Sequence, residues 1–246
     1  MEAYLDNSAT TRVDAQVQEL MKKLMDVDFG NPSSRHQKGV VAEGYIKEAR
    51  QKIAATLKVD PKELIITSGG TESNNMALIG TALAAKRKGN HIITTAVEHP
   101  SVKATASFLE EQGFRITFLS VDSRGQISLE DLKEALTPDT ILVSIMYVNN
   151  EIGTIQPVEE AAKLVHATVP GAVFHVDAIQ AYGKVMIRPK QQGIDLLSVS
   201  SHKFHGPKGA GFLYCSSKVN LHPIIFGGGQ QSGMRSGTEN VPGAAG

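Results

Sequence analysis

Apolar residues recur along the chain in two alternating rhythms. Short unbroken apolar runs occur at 64–67 (LIIT), 91–97 (HIITTAV), 115–121 (RITFLSV) and 140–148 (TILVSIMYV), and again at 172–177 (AVFHVD), 195–200 (DLLSVS) and 211–215 (GFLYC). Runs of this length bounded by turn residues predict buried strands. Between them the spacing is helical. Helices are expected at 13–26, 44–57, 71–89, 101–113, 128–136 and 158–168, with Ser128 placed to cap the fifth. Seven strands with intervening helices predict an α/β domain with a mainly parallel sheet. The last two strands are expected to pair tightly around the loop between them. At 237–246 the sequence GTENVPGAAG reads as the opening of a further helix, with Pro242 at a tolerated early position. The chain stops there, so a truncation, a nick or a separate partner piece is expected.

Composition narrows the picture only a little. The 246 residues, 41% of them hydrophobic, suffice for one large domain. Lys plus Arg and Asp plus Glu are 25 each, so no basic excess points to nucleic acid. No apolar run reaches about 18 residues, so no membrane span is expected. The start, MEAYLDNSATT, has no apolar signal region, and the cytoplasm is the expected compartment. The single cysteine, Cys215, ends an apolar strand with no activating neighbour in sequence and reads as a packing residue.

In open α/β sheets ligands bind beyond the carboxyl ends of the strands, so the residues after each strand matter most. Ser68-Gly69-Gly70-Thr71-Glu72 follows the first strand and leads into a helix. Such a turn presents free N–H groups to an anion, best a phosphate, although it would serve equally as an ordinary strand–helix turn. No Gly-Lys-Ser/Thr follows, so it is not a P-loop. Glu98-His99-Pro100 follows the second strand; His99 could cap a helix, stack on a ligand or move a proton. Asn149-Asn150 suits either a turn or a polar ligand. Asp177 closes an apolar strand, where a carboxylate needs a donor or a cation, or caps the next helix. Lys203, in SSHKFHGPKG (200–209), lies where burial as a cation is costly; its nitrogen is tolerated there if neutral, for example when covalently engaged, unless the side chain snorkels to the surface.

Singly these features are weak, and jointly they are what pyridoxal phosphate requires. Its aldehyde needs a lysine, its pyridine nitrogen a carboxylate, its ring a flat neighbour, and its phosphate a helix N-terminus with hydroxyls. No metal site is expected.

The ordered motifs YLDNSATT (4–11), GNPSSRHQKG (30–39), TSGGTESNN (67–75), EHPSV (98–102), VNNEIGTIQP (148–157), HVDAIQ (175–180), SSHKFHGPKG (200–209) and GGGQQSGMRSGTEN (227–240) resemble the NifS/IscS-type cysteine desulfurases of the class V aminotransferase family over essentially the whole chain. The resemblance implies the large domain of the pyridoxal-phosphate-dependent transferase fold type I over 1–246. In it the N-terminal segment 1–15 contributes to the small-domain side, and most of the C-terminal small domain is absent. Lys203 matches the Schiff-base lysine, Asp177 the partner of the pyridinium nitrogen, and Gln180 the group near the ring hydroxyl. His99 matches the stacked, proton-transferring histidine, and Asn150 a residue beside cofactor and substrate. Gly70 lies in the phosphate turn, and Thr71, Ser200 and His202 match phosphate ligands. Thr238 matches a phosphate contact reached from the other subunit, which implies a homodimer. Arg235 lies in the same segment without an assigned role. The implied reaction converts L-cysteine to L-alanine and leaves sulfur on an enzyme cysteine, destined for an iron–sulfur scaffold or another sulfur acceptor. That cysteine, in the family, lies C-terminal to residue 246. A selenocysteine lyase, another class V aminotransferase, or a non-catalytic cofactor-domain fragment are the alternative readings.

Overall fold

The computed structural model describes residues 3–246, so Met1 and Glu2 of the N-terminal segment lie outside the described residues. The described residues form one seven-stranded sheet in the order β1-β7-β6-β5-β4-β2-β3. The strands are β1 (Leu64–Thr67), β2 (His91–Thr95), β3 (Arg115–Leu119), β4 (Thr140–Met146), β5 (Val173–Asp177), β6 (Leu196–Ser200) and β7 (Gly211–Cys215). Strand β7 runs antiparallel to both β1 and β6, and the other neighbouring pairs are parallel. Six strands therefore share one direction, and six carboxyl ends open on one edge of the sheet.

The helices are α1 (Ala15–Asp26), α2 (Gln37–Leu57), α3 (Gly70–Ala85), α4 (Pro100–Glu111), α5 (Leu129–Ala135), α6 (Val158–Thr168), the single turn α7 (Pro189–Gln192) and α8 (Val241–Ala245). Alternation along the strands sorts the core into two layers. Ile92, Leu142, Leu196 and Leu213 pack with Met76 and Leu78 of α3 and Val102 and Leu109 of α4. Their neighbours Ile93, Val143, Leu197 and Phe212 pack on the opposite face with Leu132 of α5 and Val158 and Val165 of α6. Strand β4 is buried at every position, as its unbroken apolar run requires for a central parallel strand. Strand β3, at the edge, is exposed at Arg115 and Phe118. A third cluster joins α1, α2 and α8 through Leu24, Ile46 and Val241.

The expected seven strands are all present, and β6 and β7 form the expected pair. Ser128 caps α5 through the Asp131 N–H. Several boundaries differ, the following for physical reasons. Helix α2 begins seven residues before the expected 44, because Gly39 lets it press against the Ser34 carbonyl, which a Cβ would meet at 2.1 Å. Helix α3 ends at Ala85, with the basic residues beyond it in a turn. Strands β2 and β4 stop two residues short of expectation, and the residues released turn away into loops at the sheet edge. Among the described residues no helix is long and apolar enough to cross a membrane.

Candidate functional site

The carboxyl ends of β1, β4, β5 and β6, with the turn after β2, surround a cavity of about 520 Å³. Gly70 and Thr71, from the turn after β1, line it, as do His99 after β2 and Asn150 after β4. Asp177, Gln180, Ser200, His202 and Lys203 complete the set brought together from the sequence. Thr238 does not line it and is exposed elsewhere. A larger cleft of about 800 Å³ lies between α2 and the 229–232 turn, lined by Arg50, which donates to Gln231, with Glu43, Asp60 and Glu239, and without a comparable set of groups.

Asp177, 4% exposed, sits at the foot of the cavity. Its Oδ1 accepts from the Ile179 N–H at 3.0 Å, and its Oδ2 accepts from Asn74 Nδ2 at 2.8 Å. Burial pushes its pKa up, opposed by those two hydrogen bonds and by the charges of His99 and Lys203. The helix-cap reading does not hold, because a turn and not a helix follows β5; one oxygen of Asp177 pins that turn, and the residue lines the cavity.

Lys203 closes the 3-10 turn Ser201–Lys203 that follows β6. Its Nζ donates to the carbonyls of Ser8 at 2.6 Å and Ala9 at 2.8 Å. Burial and the nearby charge of Lys184 lower its pKa, with Asp6 and Asp177 acting the other way. The Ser8 carbonyl also accepts from Gln180 Nε2 at 2.8 Å, so the N-terminal segment forms one wall of the site. His202 bonds Thr10 Oγ1 through Nδ1 at 3.2 Å, and burial lowers its pKa.

The phosphate-sized end of the cavity is built by close approach. Gly69 has φ +142 and offers α3 no side-chain cap, which leaves first-turn N–H groups free for an anion. Gly211 of β7 passes so near that a Cβ would lie 2.5 Å from the Val199 carbonyl oxygen and 2.7 Å from Gly69 Cα. Only glycine fits where β7 backs this turn. Glu72, in the first turn of α3, receives Arg235 Nε at 2.7 Å and Nη2 at 3.2 Å. Arg235, which the sequence left without a role, thus anchors the segment that carries Thr238.

Polar groups under this surface complete the site: the turn expected at Asn149 is present, and the roles of Glu98, Asn74 and Ser101 were not read from the sequence. Asn149 builds its turn, its Oδ1 accepting from the Glu151 and Ile152 N–H groups, and so leaves Asn150 to face the cavity. Glu98 Oε1 accepts from the Met146 N–H and Thr95 Oγ1, both at 2.8 Å, while its Oε2 is buried with no partner among the described residues. Burial pushes its pKa up to about 8, so at neutral pH it is mainly the uncharged acid. Asn74 and Ser101 lie behind His99. Nothing in their local sequence separates them from other helix-entry residues.

The residues fit pyridoxal phosphate. A buried carboxylate without a cation in hydrogen-bond reach suits a protonated pyridine nitrogen, an uncapped helix N-terminus beside Ser200 suits a phosphate, and an amine biased toward its neutral form suits an aldehyde. Among the described residues no cluster of three or more His, Cys, Asp or Glu could hold a metal.

Cys215 packs beside the Leu196 and Leu213 layer, as its sequence context implies. Burial and the charges of Glu63 and Asp195 push its thiol up to about 12. A thiol there holds roughly a thousandfold less thiolate at neutral pH than an ordinary cysteine. Cys215 is accordingly expected to react with a disulfide reagent at least a hundredfold more slowly in the folded chain than in urea, as followed by the released chromophore; equal rates would contradict this placement.

A family profile described as Aminotransferase class-V matches residues 3–246. The cysteine desulfurase IscS of Dictyoglomus turgidum is 50% identical over 245 residues, covering 100% of this chain and 62% of that protein. Its counterpart in Methanosarcina thermophila is 49% identical over 243 residues, covering 99% of this chain and 60% of the relative. The chain therefore spans a little over three fifths of the length of these curated relatives. Among solved structures, a NifS-like protein superposes with a TM-score of 0.97 at 44% identity, covering all of this chain and 67% of that one. SspA in complex with cysteine superposes with a TM-score of 0.95 at 40% identity, covering 99% and 70%. The motif resemblance and these comparisons agree, and the chain belongs to the class V aminotransferase family, among its NifS/IscS-type members.

Proposed function

We propose that the chain is the cofactor-binding part of a cysteine desulfurase, which converts L-cysteine and an acceptor thiol to L-alanine and a persulfide. The observation that carries this reading is the pairing, across one cavity, of an amine biased toward neutrality with a buried carboxylate. Pyridoxal phosphate is the cofactor of the family, and when bound it supplies an electron sink for charge released at the substrate α-carbon.

The chain's own residues would do the rest. Lys203 would hold the cofactor through its aldehyde, and its Nζ would move a proton at the substrate α-carbon. Asp177 keeps the pyridine nitrogen protonated. His99 lies against the ring and exchanges a proton with the substrate. Gln180 and Asn150 orient polar groups at the ring edge. Gly70, Thr71, Ser200 and His202 hold the phosphate, joined by Thr238 of a second copy in a homodimer. Ser8 and Ala9, from the N-terminal segment, hold Lys203 from the small-domain side of the large domain formed by 1–246. The attacking thiol is not Cys215, whose packing and high pKa disqualify it. The sulfur passes to an iron–sulfur scaffold or another acceptor protein in the cytoplasm. SspA, a structural relative, is described in complex with cysteine, which favours that substrate over a keto acid.

The test loads the chain with pyridoxal phosphate and adds L-cysteine with a small thiol as acceptor. With the thiol in excess, one equivalent accepts the sulfur as a persulfide and a second reduces it to disulfide and sulfide, so alanine and sulfide in equal amounts, without added keto acid, are expected. Amino transfer that depends on a keto acid, turnover of selenocysteine but not cysteine, or a chain that retains no cofactor would each overturn the reading in favour of one alternative.

A further inference from the structure

Behind the cavity wall a short chain of hydrogen bonds runs from Asp177 to His99. Asn74, on α3 and 0% exposed, spends both hydrogens of Nδ2: one on Asp177 Oδ2 at 2.8 Å, the other on Ser101 Oγ at 2.9 Å. Ser101, 8% exposed in the first turn of α4, stands 2.8 Å from His99 Nδ1 through Oγ, and its backbone N–H donates to the same nitrogen at 3.1 Å.

The directions of these bonds can be deduced. Asp177 as a carboxylate only accepts, so Asn74 must turn Nδ2 toward it. The opposite amide orientation would set Oδ1 against the carboxylate, which accounts for Asn74 Oδ1 being buried without a partner among the described residues. With Nδ2 fixed, Ser101 Oγ accepts from Asn74. Its own hydrogen is then free for His99, whose Nδ1 meets two donors and can only accept. The neutral ring must carry its hydrogen on Nε2.

We propose that Asn74 and Ser101 are positioning residues that tie His99 to the carboxylate of Asp177 and hold its ring in the Nε2–H tautomer. His99 then keeps Nδ1 for the relay and exchanges protons through Nε2 alone. The proposal rests on the cofactor assignment for its catalytic meaning, but not for the tautomer itself. Asn74 and Ser101 come from α3 and α4, the helices whose first turns carry Thr71 and His99, so one amide registers the two walls of the cavity against each other. If Asp177 gained a proton, Asn74 could reverse, Ser101 would turn its hydrogen to Asn74 Oδ1, and the tautomer would be held by the Ser101 backbone N–H alone.

The experiment is long-range proton–nitrogen correlation on the cofactor-free chain labelled with ¹⁵N-histidine, with His99 assigned by its loss in His99→Gln. The wild-type ring is expected to show an unprotonated Nδ1 and a protonated Nε2. Ser101→Ala and Asn74→Ala each leave the Ser101 backbone N–H as the one fixed donor to Nδ1 among the described residues, so each should admit a minor Nδ1–H form beside the main one, and Ser101→Thr, which keeps the hydroxyl, should show the single wild-type form. A merely structural role would lower the melting temperature and leave the tautomer alone. A wild-type ring protonated at Nδ1, or a wild-type tautomer in whichever alanine variant folds, overturns the proposal. Because no cofactor is present, a chain that later fails to retain pyridoxal phosphate would sink the proposed function and not this result.

Discussion

Lys203→Ala is expected to abolish covalent capture of pyridoxal phosphate. After loading, treatment with borohydride and digestion, the wild-type chain should give one reduced adduct, on the peptide that carries Lys203; the variant should give none above background. Two cationic amines sit in this neighbourhood, Lys203 and Lys184, and the structure distinguishes them. Lys203 lines the cavity, whereas Lys184 donates to Gln180 Oε1 at 3.3 Å. Burial lowers the pKa of both, and the charge of Lys184 lowers Lys203 further. Replacing Lys184 with Gln removes that push, so the Lys203 amine becomes more protonated. The Lys184→Gln chain should still form the adduct at Lys203, more slowly at neutral pH and with the rate recovering as pH rises. Lys203→Ala should still hold the cofactor without a bond, because Asp177, His99 and the α3 turn remain. An adduct on Lys184, or one that survives Lys203→Ala, would show that the attachment had been assigned to the wrong amine.

The sheet was legible because each strand is a short apolar run and the runs differ in kind from the helical spacing between them. The site was legible for a related reason: Asp177, Ser200, Gly70 and Lys203 stand at the ends of those runs or within three residues of them. What escaped notice lies inside elements. Asn74 and Ser101 are small polar residues near helix starts, where such residues are common for local reasons, and their partners are 103 and 2 residues away in sequence. Glu98 reads as a charged loop residue until β4 brings the Met146 N–H to it across 48 positions. The first seven residues of α2 escaped because packing against the Ser34 carbonyl, rather than an apolar stripe, holds them helical. Elsewhere competing readings turned out to be compatible. His99 caps α4 through Nδ1 while lining the cavity, and the Asn149-Asn150 pair divides turn and ligand side between its two members.

The second large effect concerns acid. His175, on β5, is fully buried between Ser144 of β4 and Ser198 of β6, whose hydroxyls meet Nδ1 at 2.8 Å and Nε2 at 2.9 Å. Both hydroxyls could rotate to accept from a charged ring, so burial alone pushes its pKa down, to about 3. In the unfolded chain the same group titrates near 6.5. Between those values the unfolded state binds a proton that the folded state refuses. The stability this group confers is full above about 6.5 and drains away as pH falls toward 3, by roughly 5 kcal/mol over the whole window. That is a large share of a typical domain's total of about 5–15 kcal/mol. His91, held by Thr140 and Thr117 and pushed down by burial to about 4, acts in the same direction over a narrower window. Glu98 acts oppositely. With its pKa raised to about 8 from 4.5, the folded state keeps a proton that the unfolded state has lost, so its contribution is full at low pH and declines as pH climbs to 8. Between pH 4.5 and 6.5 Glu98 offsets one of the two histidine slopes, and below 4.5 the histidine loss stands alone. The measurement is urea unfolding at a series of pH values for wild type and His175→Gln. The variant is expected to be less stable at pH 7, with the gap closing by about 3 kcal/mol as pH falls from 6.5 to 4. Parallel profiles would mean that the ring takes up its proton inside the folded sheet.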